Sequence, residues 1–306
     1  MCQNRYDTPT MPANVREIKG RMKAVGNIER ITKTMQMIAT ARFQAMQRRA
    51  TAAQAYTQKI GEVVTELADS VGDLEGGSNP LLTAPEDKAG KICLLVLTSN
   101  RGLCGGFNAN LLRKAGNFLK SQQDNGLQLE VGAKKGNGFF KFSGQQVDIF
   151  HDQFESDSPT FEEVNQIAER YMYEFTAGQY DAVHVVYMSF ISMARQEPVV
   201  MQLLPMAKPK GSGEDKMHAE TLYDFSPEPV ALLEELLPIT VKTRLFQCFN
   251  ETLVSEQLAR MVAMKAATDS AGKMSKSLGR QYNRARQSAI TTELSEIIGG
   301  AAALDA

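Results

Sequence analysis

Apolar positions recur at intervals of three and four along the first quarter of the chain. They are Ile18, Met22, Val25, Ile28, Ile31, Met35 and Ile38, then Phe43, Met46, Ala50, Ala53, Tyr56, Ile60, Val63, Leu67 and Val71. No proline interrupts residues 15–71, and Gly20, Gly26 and Gly61 are the only glycines. The spacing predicts one long helix with a coiled-coil-like stripe. At 1.5 Å per residue it spans about 85 Å, wider than a single globular core, so it needs a partner of similar length.

The other end of the chain supplies that partner. From about Pro229 to Ile298 the stripe runs through Leu233, Leu236 and Ile239, then Leu245, Phe249, Leu253, Leu258, Met261, Met264, Ala267 and Ala271. It continues through Met274, Leu278, Tyr282, Ala285, Ala289 and Ile297. Pro238 is a candidate kink near the start. Gly272 and Gly279 weaken the helix by about 1 kcal/mol each relative to alanine. The small residues around them let two helices approach closely.

The middle has a different period. EGGSNPLLTAPEDKAG reads as a linker, and ICLLVL as a strand buried on both faces. LQLEVGA, QVDIF, AVHVVYMSF and PVVMQLL read as further strands, with helices over 107–124 and 161–178. Alternating strands and helices predict an α/β sheet of the doubly wound kind. KPKGSGEDKMHAE, residues 208–220, reads as a loop. The predicted organisation is residues 1–74 (extension and long helix), 75–225 (α/β foot) and 226–306 (second long helix). If the terminal helices pair with each other, the insert lies at one end of a rod.

Charge adds a second layer. The formal net charge is −1, yet residues 15–50 carry nine Lys/Arg against two Glu. Residues 258–290 carry seven against one Asp, so the remainder is strongly acidic. Basic flanks point to an acidic partner. Only Phe43 and Tyr282 are aromatic within those segments. Nucleic-acid binding through interleaved stacking is therefore disfavoured. The 15 methionines suit surfaces that repack or slide, or simply a Met-rich core. Cys2, Cys93, Cys104 and Cys248 form no CxxC pair, which reads as reduced thiols without a zinc site. His151, His184 and His218 are too scattered to suggest a metal cluster, and His184 reads as a satisfied core or face histidine. No run of 18 apolar residues is present. MCQNRYDTPT carries neither a signal-peptide core nor a transit-peptide bias, and Met11 is a second candidate start.

TSNRGLCGGFNANLL follows the first strand and outlines a phosphate cradle. The match fails in detail. Gly105–Gly106 is followed by Phe107 and Asn108 rather than Lys and Ser/Thr, and glycines at 102, 105 and 106 miss the GxGxxG spacing. AGKMSKS and GAKKGNG fail in the same way. The glycines are read instead as permitting positive φ or close strand–helix packing. Glu162–Glu163 and Glu234–Glu235 are adjacent on helices and read as solvated faces.

Three stretches resemble one family. NVREIKGRMKAVGNIERITKTMQMIATARF, TSNRGLCGGFNANL, and SEQLARMVAMKAATDSAGKM with YNRARQSAITTELSEIIGGAAAL are similar to the gamma subunit of F-type ATP synthase. The similarity runs from Met11 to Leu304, in order. It implies an antiparallel coiled coil of the terminal helices inside a ring of three alpha and three beta subunits. It also implies a Rossmann-like α/β foot beside the epsilon subunit and the c-ring. The implied role is that of a rotor shaft, a non-catalytic subunit with no cofactor, peripheral on the cytoplasmic face of a bacterial plasma membrane. Family contacts with the ring, carried to RQSAITTE, fall on Arg286, Gln287, Thr291 and Glu293. Contact with the c-ring or epsilon falls near Leu222, Tyr223 and Asp224. The ten residues before Met11 lie outside the pattern, and no dithiol insert of the chloroplast type is present. Two other readings stay open from the residues alone: a coiled-coil scaffold without rotation, and a nucleotide-binding enzyme with helical extensions.

Overall fold

The computed structural model describes residues 15–71, 79–83, 90–122, 126–155, 159–206 and 229–304. Among the described residues five helices and five strands follow one another: α1 (Val15–Val71), β1 (Lys91–Val96), α2 (Phe107–Ser121), β2 (Gly126–Val131), α3 (Lys134–Phe142), β3 (Ile149–Phe150), α4 (Phe161–Thr176), β4 (Ala182–Phe190), β5 (Gln196–Leu204) and α5 (Pro229–Leu304). A 3-10 turn, Asp152–Glu155, follows β3. The mixed α/β class predicted from the sequence is the class observed. The 208–220 loop, most of the 75–90 linker and the first ten residues lie outside the described residues.

The chain forms two compact units. Described residues up to Ile38 and from Met261 onward make one, and Ala39–Arg260 make the other.

The larger unit is built on a sheet of order β3-β2-β1-β4-β5. β1 pairs in parallel with β2 and β4, and β2 with β3; β5 joins β4 antiparallel as the far edge. The central strand, β1, is buried after its first residue, as its unbroken apolar run requires. One sheet face packs on α2 and α3 through Phe107, Leu111, Ala115 and Phe140. The opposite face packs on α4 and the start of α5 through Tyr171, Phe175, Leu237 and Leu245. Pro238 lies inside α5 without ending it.

α3 is an addition to the predicted elements. GAKKGNG carries three glycines and no apolar period, which hides a helix from pattern reading. Tertiary packing requires one of them. A Cβ on Gly136 would meet Val131 Cγ1 at 2.8 Å and Thr98 Oγ1 at 2.9 Å, and its N–H donates to Thr98 Oγ1 at 3.0 Å. α4 opens on a capping box: Thr160 accepts from the Glu163 N–H, and Glu163 accepts from the Thr160 N–H. Glu163, one of the four glutamates read as solvated, is therefore a cap.

In the smaller unit the buried line of α1 differs from the predicted stripe. Ile18 is buried and Met22, Val25, Glu29, Thr32 and Gln36 are half-buried, at strict four-three spacing. Ile28 (52%), Ile31 (59%) and Ile38 (51%) are exposed. Two heptad lines interleave here, and the more apolar one faces outward. The inner line is partly polar: Thr268 Oγ1 lies 2.8 Å from Thr32 Oγ1, and the Glu29 carboxylate lies against Gly272.

Candidate partner-binding surfaces

The last turns of α5 present the predicted ring contacts. Arg286, Gln287, Thr291 and Glu293 are all exposed. Helical spacing places Arg286 and Glu293 on one line with Ile290 and Ile297. It places Gln287 and Thr291 on the neighbouring line with Leu294 and Ile298. The Thr291 hydroxyl donates to the Gln287 carbonyl at 2.9 Å. Ile290 (45%), Leu294 (53%), Ile297 (68%) and Ile298 (66%) are open to solvent. The second line is thus polar at one end and apolar at the other, while the first alternates between the two; both are exposed among the described residues. Leu222, Tyr223 and Asp224 lie outside the described residues.

The glycine-rich loop after β1 is tied to its own unit. The Ser99 hydroxyl donates to the Arg101 carbonyl at 2.7 Å, and the Asn108 side chain donates to Ser99 Oγ at 2.7 Å while accepting from the Ser99 N–H at 3.1 Å. Arg260, 6% exposed, donates to the Arg101 and Gly102 carbonyls and pairs with Glu256 at 2.6 Å. Ser99, Asn108 and the carbonyls of Arg101 and Gly102 are thus engaged inside the fold. Gly105 takes φ +58° as expected, but so does a non-glycine: Leu103, at φ +64°, is 61% exposed. Sequence reading passed over Arg260. Its signal was its place four residues after Glu256, which lets the two pair along the helix.

The scattered histidines separate in role. His151 is buried with Nε2 2.7 Å from Glu130 Oε2. His184 packs its ring 4.9 Å from Phe118, and its Nδ1 is buried without a partner, so it is a face histidine but not a satisfied one. Burial lowers its pKa.

Glu130, fully buried, gathers the polar interior. It accepts from both Arg170 guanidinium nitrogens (2.6 and 3.0 Å), from Tyr171 Oη at 2.8 Å and from Gln128 at 3.1 Å. Burial pushes its pKa up, but the bonds from His151, Arg170 and Tyr171 outweigh it and hold the carboxyl at about 2. Burial pushes the neighbouring Cys93 thiol far above its ordinary range. Among the described residues no helix is long and apolar enough to cross a membrane.

Comparison with known proteins places this architecture. The family model described as ATP synthase matches residues 14–304. The ATP synthase gamma chain of Rhodopirellula baltica is 44% identical over 301 residues, covering 96% of this chain and 99% of the relative. The gamma chain of Heliobacterium modesticaldum is 38% identical, covering 95% and 99%. Among solved structures, a chain of the Euglena gracilis mitochondrial ATP synthase (OSCP/F1/c-ring, rotational state 3) matches with a TM-score of 0.61 at 19% identity, covering 95% of this chain and 94% of that one. A chain of the Tetrahymena thermophila mitochondrial central stalk and c-ring matches with a TM-score of 0.54 at 20% identity, covering 78% and 99%. Matched over nearly its whole length by the family model and by these relatives, the chain belongs to the ATP synthase gamma chain family.

Proposed function

We propose that the chain is the central rotor shaft of an F-type ATP synthase. It couples ion flow through the membrane sector to ATP synthesis or hydrolysis at a ring of three alpha and three beta subunits. One observation carries this reading: the end of α5 carries four large apolar residues, Ile290, Leu294, Ile297 and Ile298, that face solvent. Contiguous exposed apolar surface marks a place where another chain packs. An apolar sleeve around the helix end supplies that cover, and Arg286, Gln287, Thr291 and Glu293 meet polar groups one to two turns below it.

The chain holds no catalytic groups in this reading; the reacting sites lie on the beta subunits. It acts through unequal contacts. A given orientation shifts a site only as far as the shaft binds its open and closed forms differently. Moving a site from 1:99 to 99:1 takes about 5.5 kcal/mol of such difference. The foot meets the epsilon subunit and the c-ring, with Leu222, Tyr223 and Asp224 as the proposed contact. The complex is peripheral to the cytoplasmic face of a bacterial plasma membrane.

Reconstitution tests it. The chain is combined with cognate alpha and beta subunits, and ATP hydrolysis is assayed with and without it. One copy per three alpha–beta pairs with strongly stimulated multisite turnover is expected. Failure to enter the ring, or entry without effect on turnover, overturns the shaft and favours a tethering scaffold.

A further inference from the structure

The outer layer formed by α2 and α3 has one sign of charge. Neither FNANLLRKAGNFLKS nor KKGNGFFKF contains an Asp or Glu. Arg113, Lys114, Lys120, Lys134, Lys135 and Lys141 are all exposed on it. The two helices touch, and both bury their inner sides on the same sheet face. α4, on the opposite face, opens with Glu162 and Glu163 instead. Lys134 and Lys135 stand in the first turn of α3, where positive charge opposes the helix dipole. Helix stability therefore does not account for their placement.

The same layer exposes aromatic surface. Phe142 is 92% exposed at the end of α3, and Phe139, one turn earlier on the same side, is 44% exposed. Their inward neighbour Phe140 is 2% exposed and already fills the core position. Lys135, Phe139 and Phe142 form one outward line, and Lys134 and Lys141 the next.

We propose that the α2–α3 face adsorbs to anionic lipid headgroups, with Phe142 entering the interfacial region and the lysines neutralising phosphates. Clusters of four to eight cations beside exposed aromatics suit such a surface. Lysine is depleted from protein–protein interfaces, and five of these six cations are lysine. Single-stranded nucleic acid requires aromatics interleaved among the cations, whereas here both exposed rings sit at one end of α3. This is contact with the headgroup layer, distinct from insertion of a span, and it goes beyond the shaft reading.

The chain has no tryptophan, so Phe142→Trp provides a single indole reporter in the full-length protein. Its emission is followed with vesicles of one-third phosphatidylglycerol in phosphatidylcholine, with phosphatidylcholine alone, with polyglutamate and with a single-stranded oligonucleotide. Co-sedimentation runs in parallel on the wild-type chain and on a Lys134→Gln/Lys135→Gln/Lys141→Gln variant checked for native helicity. The expected result is a blue shift and sedimentation with the anionic vesicles only, weakened by salt. Binding by the triple variant should fall on the order of a hundredfold, at about fivefold per cation. Equal binding by the triple variant overturns the proposal, as does sedimentation without an indole shift, which would move the contact to the basic terminal helices. A response to polyglutamate or oligonucleotide but not to vesicles also overturns it, in favour of an acidic protein or nucleic acid.

Discussion

Arg170 grips Glu130 with both guanidinium nitrogens, at 2.6 and 3.0 Å, across the boundary between α4 and β2. The two ends of the pair are unequal. The Glu130 side chain is wholly buried, while that of Arg170 keeps 28% of its surface in solvent. Removing either partner takes the bidentate pairing from the other charge, and the cost depends on whether that charge can reach water. Glu130→Gln should destabilise the chain by about 3 kcal/mol, and Arg170→Leu by more, toward about 5 kcal/mol. Urea unfolding of both variants checks the order; a larger loss for Glu130→Gln would refute it.

The same pair sets a pH dependence. The folded pKa of Glu130, about 2, lies below its ordinary value of 4.5. Its contribution is therefore fully present above the ordinary value and is lost as pH falls from about 4.5 toward about 2. The difference in unfolding free energy between the wild type and Glu130→Gln should shrink over that interval. A difference that stays constant down to the lower value would remove Glu130 as its source.

Gly136 is required by contact. A methyl group there meets Val131 and Thr98 below 3.0 Å, and the β-branched Val131 has no flexible end to withdraw. Gly136→Ala should cost about 1–3 kcal/mol despite alanine's better helix propensity. Gly138, with open space around its missing Cβ, is the control: Gly138→Ala should be neutral or stabilising.

Thr32 and Thr268 join α1 to α5 inside the smaller unit through one hydroxyl–hydroxyl contact at 2.8 Å. Each hydroxyl also reaches a carbonyl of its own helix, Glu29 and Met264 respectively. A double-mutant cycle with Thr32→Val and Thr268→Val should show coupling of about 0.5–1.5 kcal/mol. Additive effects would show that the two hydroxyls are satisfied separately.

The exposed end of α5 separates folding from assembly. Leu294→Gln with Ile297→Gln and Ile298→Gln removes apolar groups that are more than half exposed among the described residues. Its stability in isolation should change by no more than about 0.5 kcal/mol per site, while incorporation into an alpha–beta ring falls steeply. Equal loss of both would mean that the residues support the fold rather than a partner.

Both long helices and the alternating sheet were legible along the chain, because each is a local repeat. Periodicity reports that a helix has an apolar side, and β1's unbroken apolar run reports burial on two faces. Neither depends on what lies across the contact. The choice between the two interleaved lines of α1 did depend on it. Ile28, Ile31 and Ile38 are the more hydrophobic set, yet Glu29, Thr32 and Gln36 turn inward, where Thr268 on α5 donates to the Thr32 hydroxyl and Gly272 leaves room for the Glu29 carboxylate. Likewise nothing near Glu130 in sequence announces His151, Arg170 and Tyr171, which reach it from 21, 40 and 41 residues away. Element type is a property of neighbours along the backbone and can be read there. Which polar groups are buried, and which apolar ones are left for another chain, follows from packing between distant segments, and the folded chain alone sets that.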